Sequence, residues 1–326
     1  MPGVAPRRAD VARHLKLYFA TDVHGSDKCF RKFLHASTVY GADAVILGGD
    51  VAGKAIQGIT RDVDNTYQCT FRGAHYALSE GEELMALEQL ISDHGYYPYR
   101  ADPGELEAMR DAGSLDAIFL TLMRERLTRW MTMADERLRP AGTPAFWMLG
   151  NDDPPPLREI LDDAPWGSQA EGTILQIDGH ELLSWGYSNI TPWNSYREMT
   201  EDQLEEKLRE LWRKLANPER AIANLHVPPY DTGLDEAPML DRDLRVQQAV
   251  GQVKMAPVGS TAVREILEER QPLLSLHGHI HESHGFRRLG RTLAVNPGSD
   301  YGTGALNGVL LTLDADRVRA HQFVRG

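Results

Sequence analysis

Short apolar runs rich in β-branched and aromatic side chains recur along the chain, separated by longer stretches of helical period, and this alternation predicts a layered α/β protein. The runs predict strands at Leu15–Ala20, Ala44–Leu47, Ala145–Leu149, Ile174–Ile177, Leu182–Trp185, Ala221–Leu225, Leu273–Leu276, Leu293–Val295, Gly308–Leu313 and Val318–Phe323. Between them, Leu115, Ile118, Phe119, Leu122, Leu127, Trp130, Met131 and Leu138 approximate one apolar stripe of a helix. Thr200 and Gln203 precede Leu204, Leu208, Leu211 and Leu215 in the pattern of a helix opened by a capping box.

One stretch breaks the rhythm. From about 51 to 140 the chain runs far longer than the usual link between strand and helix, which predicts a subdomain inserted into a single domain spanning 1–326. Its aromatic residues Tyr67, Phe71, His75, Tyr76, Tyr96, Tyr97 and Tyr99 are expected to form the insert's own small core, with a lid over a substrate as the alternative.

Composition narrows the class. Of 326 residues, 42% are hydrophobic and 25% charged, as in an ordinary soluble globular protein. Acidic residues outnumber basic ones by 47 to 35, and the net charge of −12 repels polyanions, so neither a general nucleic-acid coat nor an anionic-membrane binder is expected. Cys29 and Cys69 lack CxxC partners, which excludes a disulfide framework or a thiolate zinc cage and suits a reducing compartment. Arg7 and Arg8 are followed by Asp10, Arg13, His14 and Lys16 where a signal peptide needs an unbroken apolar stretch. No segment approaches the roughly 18 apolar residues of a membrane span. A cytoplasmic protein is expected.

Chemistry-bearing residues gather where the apolar runs end, the place at which α/β folds collect ligands. Asp22-Val23-His24 follows the first run, Gly48-Gly49-Asp50 the second and Gly150-Asn151-Asp152-Asp153 the third; His226 follows Leu225, and Gly278-His279-Ile280-His281 follows His277. Each has an ordinary structural explanation when taken singly: a helix-capping Asp, a Gly-Gly turn, an Asx turn before Pro154, a packed His. Two aspartates, an asparagine and four histidines at the ends of five predicted strands make a coincidence of all five explanations improbable.

In this order the motifs resemble the calcineurin-like metallophosphoesterase superfamily, over essentially the whole chain. LHVPPYDTGLD from Leu225, LHGHIHES from Leu276 and VNPGS from Val295 are similar to a compact subgroup of bacterial and archaeal phosphoesterases. The resemblance implies a four-layer α/β/β/α sandwich of two mixed sheets. It also implies a two-metal centre with Asp22, His24 and His281 on one ion, Asn151, His226 and His279 on the other, and Asp50 bridging. Carboxylate, amide and imidazole ligands without thiolate suit divalent transition metals, manganese or iron favoured, with zinc, cobalt and nickel also suited. A hydroxide held between the two ions would then attack phosphorus in an in-line displacement, so phosphoester hydrolysis is the expected reaction.

The chain departs from the family at Asp152, a position where many members carry a His assigned to the leaving group or the phosphate. A carboxyl beside two cations stays ionised at neutral pH, so Asp152 is expected to accept a hydrogen bond from a ligand or a metal-bound water and not to act as general acid. His277, His284 and Tyr230 are candidate proton donors by position. An anionic Asp152 also favours a singly charged diester over a doubly charged monoester. Candidate substrate contacts are Arg197, Ser299 and His277, with Asn189 and Pro192 in a connection, 188–200, that could rim the site. A protein-binding scaffold without turnover is the alternative from another class, and a nuclease the alternative among enzymes. The expected partner is a small cyclic or linear phosphodiester, without nucleic acid or membrane.

Overall fold

The computed structural model describes residues 14–249 and 251–326. The arginines Arg7 and Arg8, with Asp10 and Arg13, read above against a signal peptide, lie outside the described residues.

In chain order the framework consists of β1 (Leu15–Ala20), α1 (Asp27–Tyr40), β2 (Ala44–Gly48), α2 (Leu115–Leu138), β3 (Ala145–Met148), β4 (Ile174–Ile177), β5 (His180–Trp185), α3 (Glu201–Trp212), β6 (Ile222–Leu225), α4 (Thr261–Arg270), β7 (Leu274–Leu276), β8 (Gly285–Leu289), β9 (Thr292–Asn296), β10 (Asn307–Leu313) and β11 (Val318–Arg325). The first sheet runs β11-β10-β1-β2-β3 and ends on a short strand at Ser168–Gln169; the second runs β8-β9-β7-β6-β5-β4. Both sheets have a parallel centre: in the first, β1, β2, β3 and the short edge strand are parallel with β10 antiparallel to β1, and in the second, β5, β6, β7 and β9 are parallel with β4 and β8 antiparallel at the edges.

Alternation along each strand sets the layers. Leu17 and Phe19 of β1 face inward and meet Leu182, Ile222, Leu276 and Val295 of the second sheet. Tyr18 and Ala20, one residue out of step, face outward onto Phe30 and Phe33 of α1 and Leu127 and Trp130 of α2. Ala223 and Leu225 of β6 do the same toward Leu204 and Leu208 of α3 and Ile266 of α4. The result is a four-layer α/β/β/α sandwich of two mixed sheets. The capping box opens α3 as the sequence predicts, with both the Thr200 and Gln203 side chains bonded back.

Within 51–140, strands at Ile56–Arg61, Tyr67–Phe71, Ala74–Leu78 and Tyr97–Ala101 form a separate four-stranded sheet against the helix Glu82–Asp93. Ile59, Cys69, Phe71, Leu84, Leu87 and Ile91 make its core, with Tyr67 and Tyr76 packed on it. Tyr97 instead joins the outer core of the first sheet, while α2, at the end of the same stretch, forms part of that sheet's helical layer. Arg126 of α2 pins this additional sheet to the main body: it donates to the Gly25 carbonyl at 2.7 Å and to Ser92 Oγ at 3.1 Å, and lies 4.0 Å over the Tyr97 ring. Among the described residues, no helix is long and apolar enough to cross a membrane.

Candidate metal centre

The parallel strands β1, β2, β3, β6 and β7 deliver their following loops to one place. His24 Nε2 lies 3.0 Å from His281 Nε2, 3.6 Å from Asp50 Oδ2 and 3.9 Å from Asp22 Oδ1. His281 Nε2 is 3.3 Å from Asp22 Oδ1, and His226 Nε2 is 3.4 Å from Asp50 Oδ2. Three groups each bring their ligand atoms within 4.8 Å of one another: Asp22, His24 and His281; Asp50, His226 and His279; and His24, Asp50 and Asp152. Asp22, His24, Asp50, Asn151 and His226 are buried, while His279 and His281 are partly exposed.

The donors themselves test whether cations fit. His226 donates from Nδ1 to the Gly48 carbonyl at 2.9 Å, which leaves Nε2 buried without a hydrogen-bond partner beside Asp50. Asn151 gives its Nδ2 to Asp152 at 3.0 Å, and its Oδ1 is likewise buried and unpartnered. Such orphaned atoms are costly unless something satisfies them. Burial opposes a charge on His226, yet Asp50 and Asp22 push its pKa up to about 9; the carboxylates that favour this proton would favour a cation in its place. Burial by itself raises Asp22, but the His281 hydrogen bond and the surrounding imidazoles hold it far below the usual carboxylate range. The 3.0 Å between the two imidazole nitrogens of His24 and His281 is what two ligands about 2.1 Å from one ion show at right angles. The donor set therefore fits divalent transition metals.

Four of the seven candidate ligands have an unusual backbone conformation. Asp22, His24, Asp50 and His279 have φ of 52°, 38°, 50° and 67°, in the left-handed region that side chains other than glycine seldom adopt. Neighbouring glycines clear space: a Cβ on Gly150 would lie 2.1 Å from Asp50 Oδ1, and one on Gly278 would lie 2.2 Å from Asp22 Oδ2. Two buried clasps hold the loops. Asp153 accepts from the N–H groups of Gly150, Val51 and Ala52, joining the loops after β2 and β3. Asn296 donates to the carbonyls of Leu234, Gly278 and Ile280, and its Oδ1 accepts from Gly298 N–H.

The other candidates separate into those at the centre and those that support it. Asp152 is at the centre: its N–H donates to Asp50 Oδ1 at 3.0 Å, and its Oδ1 accepts from Asn151 and from Ser195 Oγ at 2.7 Å. Burial raises Asp152, but Lys54, 2.6 Å from its Oδ2, outweighs that and keeps it well below the ordinary range. Ser299 lies beneath, donating to the Asp22 carbonyl at 2.7 Å. Arg197 is buried, its guanidinium bonded to the Gly150 carbonyl and Glu171 and stacked 4.3 Å over Tyr187, so it braces the loop and does not face a substrate. His277 is fully buried between the Leu225 and Val227 carbonyls and Ser275, and burial pushes its pKa down to about 4. It is therefore tied to the scaffold, away from the opening. His284 bonds the Pro297 carbonyl and packs on Phe323, Tyr230 is tied by its backbone to Ser260, and Asn189 reaches the Val258 and Gly259 carbonyls. Sequence reasoning missed Lys54, Ser195 and Tyr301, whose ring lies 4.6 Å from His24 and 5.8 Å from His281. The signal for Lys54 was its place in the same loop as Asp50, and that for Ser195 its place in the 188–200 connection expected to rim the site; nothing local marks Tyr301.

No family model matches the chain. An uncharacterized protein of Methanocaldococcus jannaschii, MJ1162, is 29% identical over 143 residues, which cover 43% of this chain; the chain spans 58% of that relative's length. Among solved structures, TT1561 of Thermus thermophilus aligns over 96% of this chain and 99% of its own at 16% identity with a TM-score of 0.53, and so has the same overall fold. YfcE, a phosphoesterase from E. coli, aligns over 94% of this chain and 98% of its own at 14% identity and a TM-score of 0.33, too distant for its site to be compared with this one.

Proposed function

We propose that this chain, which has the calcineurin-like metallophosphoesterase fold, is a metal-dependent phosphoester hydrolase acting on a small phosphodiester. The observation that carries the proposal is the convergence of carboxylate, amide and imidazole donors from five strand ends, with His226 Nε2 and Asn151 Oδ1 buried and unpartnered.

In this reading Asp22, His24 and His281 hold one divalent cation, and Asn151, His226 and His279 hold a second. Asp50 stands between them, with its Oδ2 close to both His24 and His226. Manganese or iron is favoured, and zinc, cobalt and nickel are also suited to these donors. Two such ions, when bound, supply a nucleophile at neutral pH and stabilise the attacking and leaving oxygens of an in-line displacement. The protein's own share is to hold the donors in place. His226 is fixed in one tautomer by the Gly48 carbonyl, and Asn151 is turned by Asp152 so that its amide oxygen stays free. Asp152, kept ionised beside Lys54, has no proton to give a leaving group; the Lys54–Asp152 pair is neutral as a unit and adds no net attraction for the second charge of a monoester. That balance supports a diester over a monoester, and the net charge of −12 supports a small substrate over a polynucleotide. Cys29 and Cys69, both buried and free, suit a reducing cytoplasm.

The test is hydrolysis of bis-p-nitrophenyl phosphate by metal-stripped protein resupplied singly with Mn²⁺, Ni²⁺, Co²⁺, Zn²⁺ or Mg²⁺. Turnover is expected to return with metal and to fall at least about 100-fold in Asp50→Ala. No turnover in folded, metal-loaded protein would favour a binding scaffold, and higher kcat/KM on phenyl phosphate than on its diester would overturn the diester preference.

A further inference from the structure

The loop after β2 carries a cation as well as a carboxylate. Its main chain is immobilised up to the residue before Lys54: Val51 and Ala52 donate to Asp153, and Gly53 donates to Tyr97 Oη at 3.1 Å. Gly53 is also pressed so closely on the Gly95 carbonyl that a Cβ there would lie 2.1 Å from it. Lys54 therefore leaves a fixed backbone, and its side chain turns toward the centre, placing Nζ 2.6 Å from Asp152 Oδ2.

Asp152 is itself held from several sides. Its N–H is on Asp50, and its Oδ1 takes Asn151 and Ser195. An exposed Lys–Asp pair ordinarily contributes little to stability, because both side chains must be ordered to form it. Here one partner is already ordered by the site. The Lys54 side chain remains 48% exposed, and an ammonium has three donors, of which Asp152 occupies one. A point cation at the mouth of a metal centre, aimed from a rigid loop and with donors to spare, is the arrangement that recognises a phosphoryl oxygen.

We propose that Lys54 contacts the substrate, its ammonium donating to a non-bridging phosphate oxygen, and that Asp152 and Ser195 are positioning residues that aim it. This role presupposes the metal-dependent reading given above. It deepens that reading by placing recognition of a singly charged phosphoryl group on a residue at the start of the inserted stretch.

Inorganic phosphate is the probe. It is titrated calorimetrically into Mn²⁺-loaded wild type, Lys54→Met and Lys54→Arg, with Mn²⁺ titrated into each stripped protein beside it. Lys54→Met is expected to weaken phosphate binding about tenfold or more, and Lys54→Arg to stay within about threefold of wild type, because a charge-assisted hydrogen bond is lost in the first and kept in the second. Mn²⁺ affinity is expected to change less than about threefold in either. Phosphate affinity unchanged in Lys54→Met overturns the proposal, as does a wild type that binds no phosphate, or a Mn²⁺ affinity that falls in step with phosphate. Asp152→Asn should weaken phosphate binding by itself but add nothing to Lys54→Met in the double variant; additive losses would overturn the positioning role. A wild type that binds Mn²⁺ and holds phosphate through Lys54, yet hydrolyses no phosphodiester, would sink the hydrolase reading and leave this one standing. Hydrolysis with KM and phosphate affinity indifferent to Lys54→Met would do the reverse.

Discussion

His277 and His279 stand two apart in one motif and have different surroundings. The N–H of His277 still pairs with the Val295 carbonyl in sheet fashion, and its ring turns into the protein among two carbonyls and a serine. At His279 the chain has passed into the left-handed region, and its N–H lies 3.1 Å from both oxygens of Asp22. Residue type alone could not separate them, because the distinction is where the strand stops. The convergence of Asp22, His24, Asp50, His226, His279 and His281 was legible, since each follows an apolar run; the positions of Lys54, Ser195 and Tyr301 were not, since none follows one. Gly278, between the two histidines, carries a prediction of its own. Gly278→Ala would drive a methyl into Asp22 Oδ2 and Thr21 Oγ1, so Mn²⁺ affinity measured by calorimetry should fall about tenfold or more with every ligand still present. An unchanged affinity would mean that Asp22 can move without cost.

Among elements, the strands buried on both faces were revealed by their apolar runs, and so were the half-exposed edge strands β4 and β11, which keep enough β-branched and aromatic residues to be read. β1, β2, β3, β6 and β7 are short, wholly or nearly wholly buried runs, and each occurs where its apolar residues predict, give or take a residue or two at the ends. β8, with the sequence GFRRL, has mostly exposed side chains at a sheet edge and no apolar run to announce it. The strands of the additional sheet within 51–140 are half-exposed for the same reason. Asn296, the last residue of β9, is a clasp, with its amide spread over three carbonyls, two of them in the loop that bears His279 and His281. Asn296→Ala leaves those buried carbonyls short of a donor and should cost about 1–3 kcal/mol in urea unfolding. It should also weaken Mn²⁺ binding about tenfold; lost stability with full Mn²⁺ affinity would show that the histidine loop holds its shape alone.

For the whole molecule, the telling fact is how the donors divide. Asp22, His24, Asp50 and Asn151 follow strands of the first sheet, and His226, His279 and His281 follow strands of the second. Cations bound among them would tie the two sheets together at one end, and binding to the folded state alone stabilises it by about 2.7 kcal/mol at a hundredfold excess over Kd. Mn²⁺ should therefore raise Tm by at least about 3 °C, reversibly with chelator. Asp50→Ala should lose most of that rise, and an equal rise in the variant would place the bound metal elsewhere. The acidic balance of the chain was evident from counting residues, but the pairing of the two sheets was not, because it depends on which strands lie side by side.

One such pairing governs when the centre can exist. β1, which carries Asp22 and His24, lies between β2 and β10, and β10 is hydrogen-bonded in turn to β11. Synthesis proceeds from the N-terminal side at about 5–20 residues per second, so a nascent chain that has just passed His281 already holds every donor yet still lacks the strand that flanks the first two. On the ribosome, β1 therefore waits with one edge unpaired until residues 307–313 have been made, later than the last of the donors.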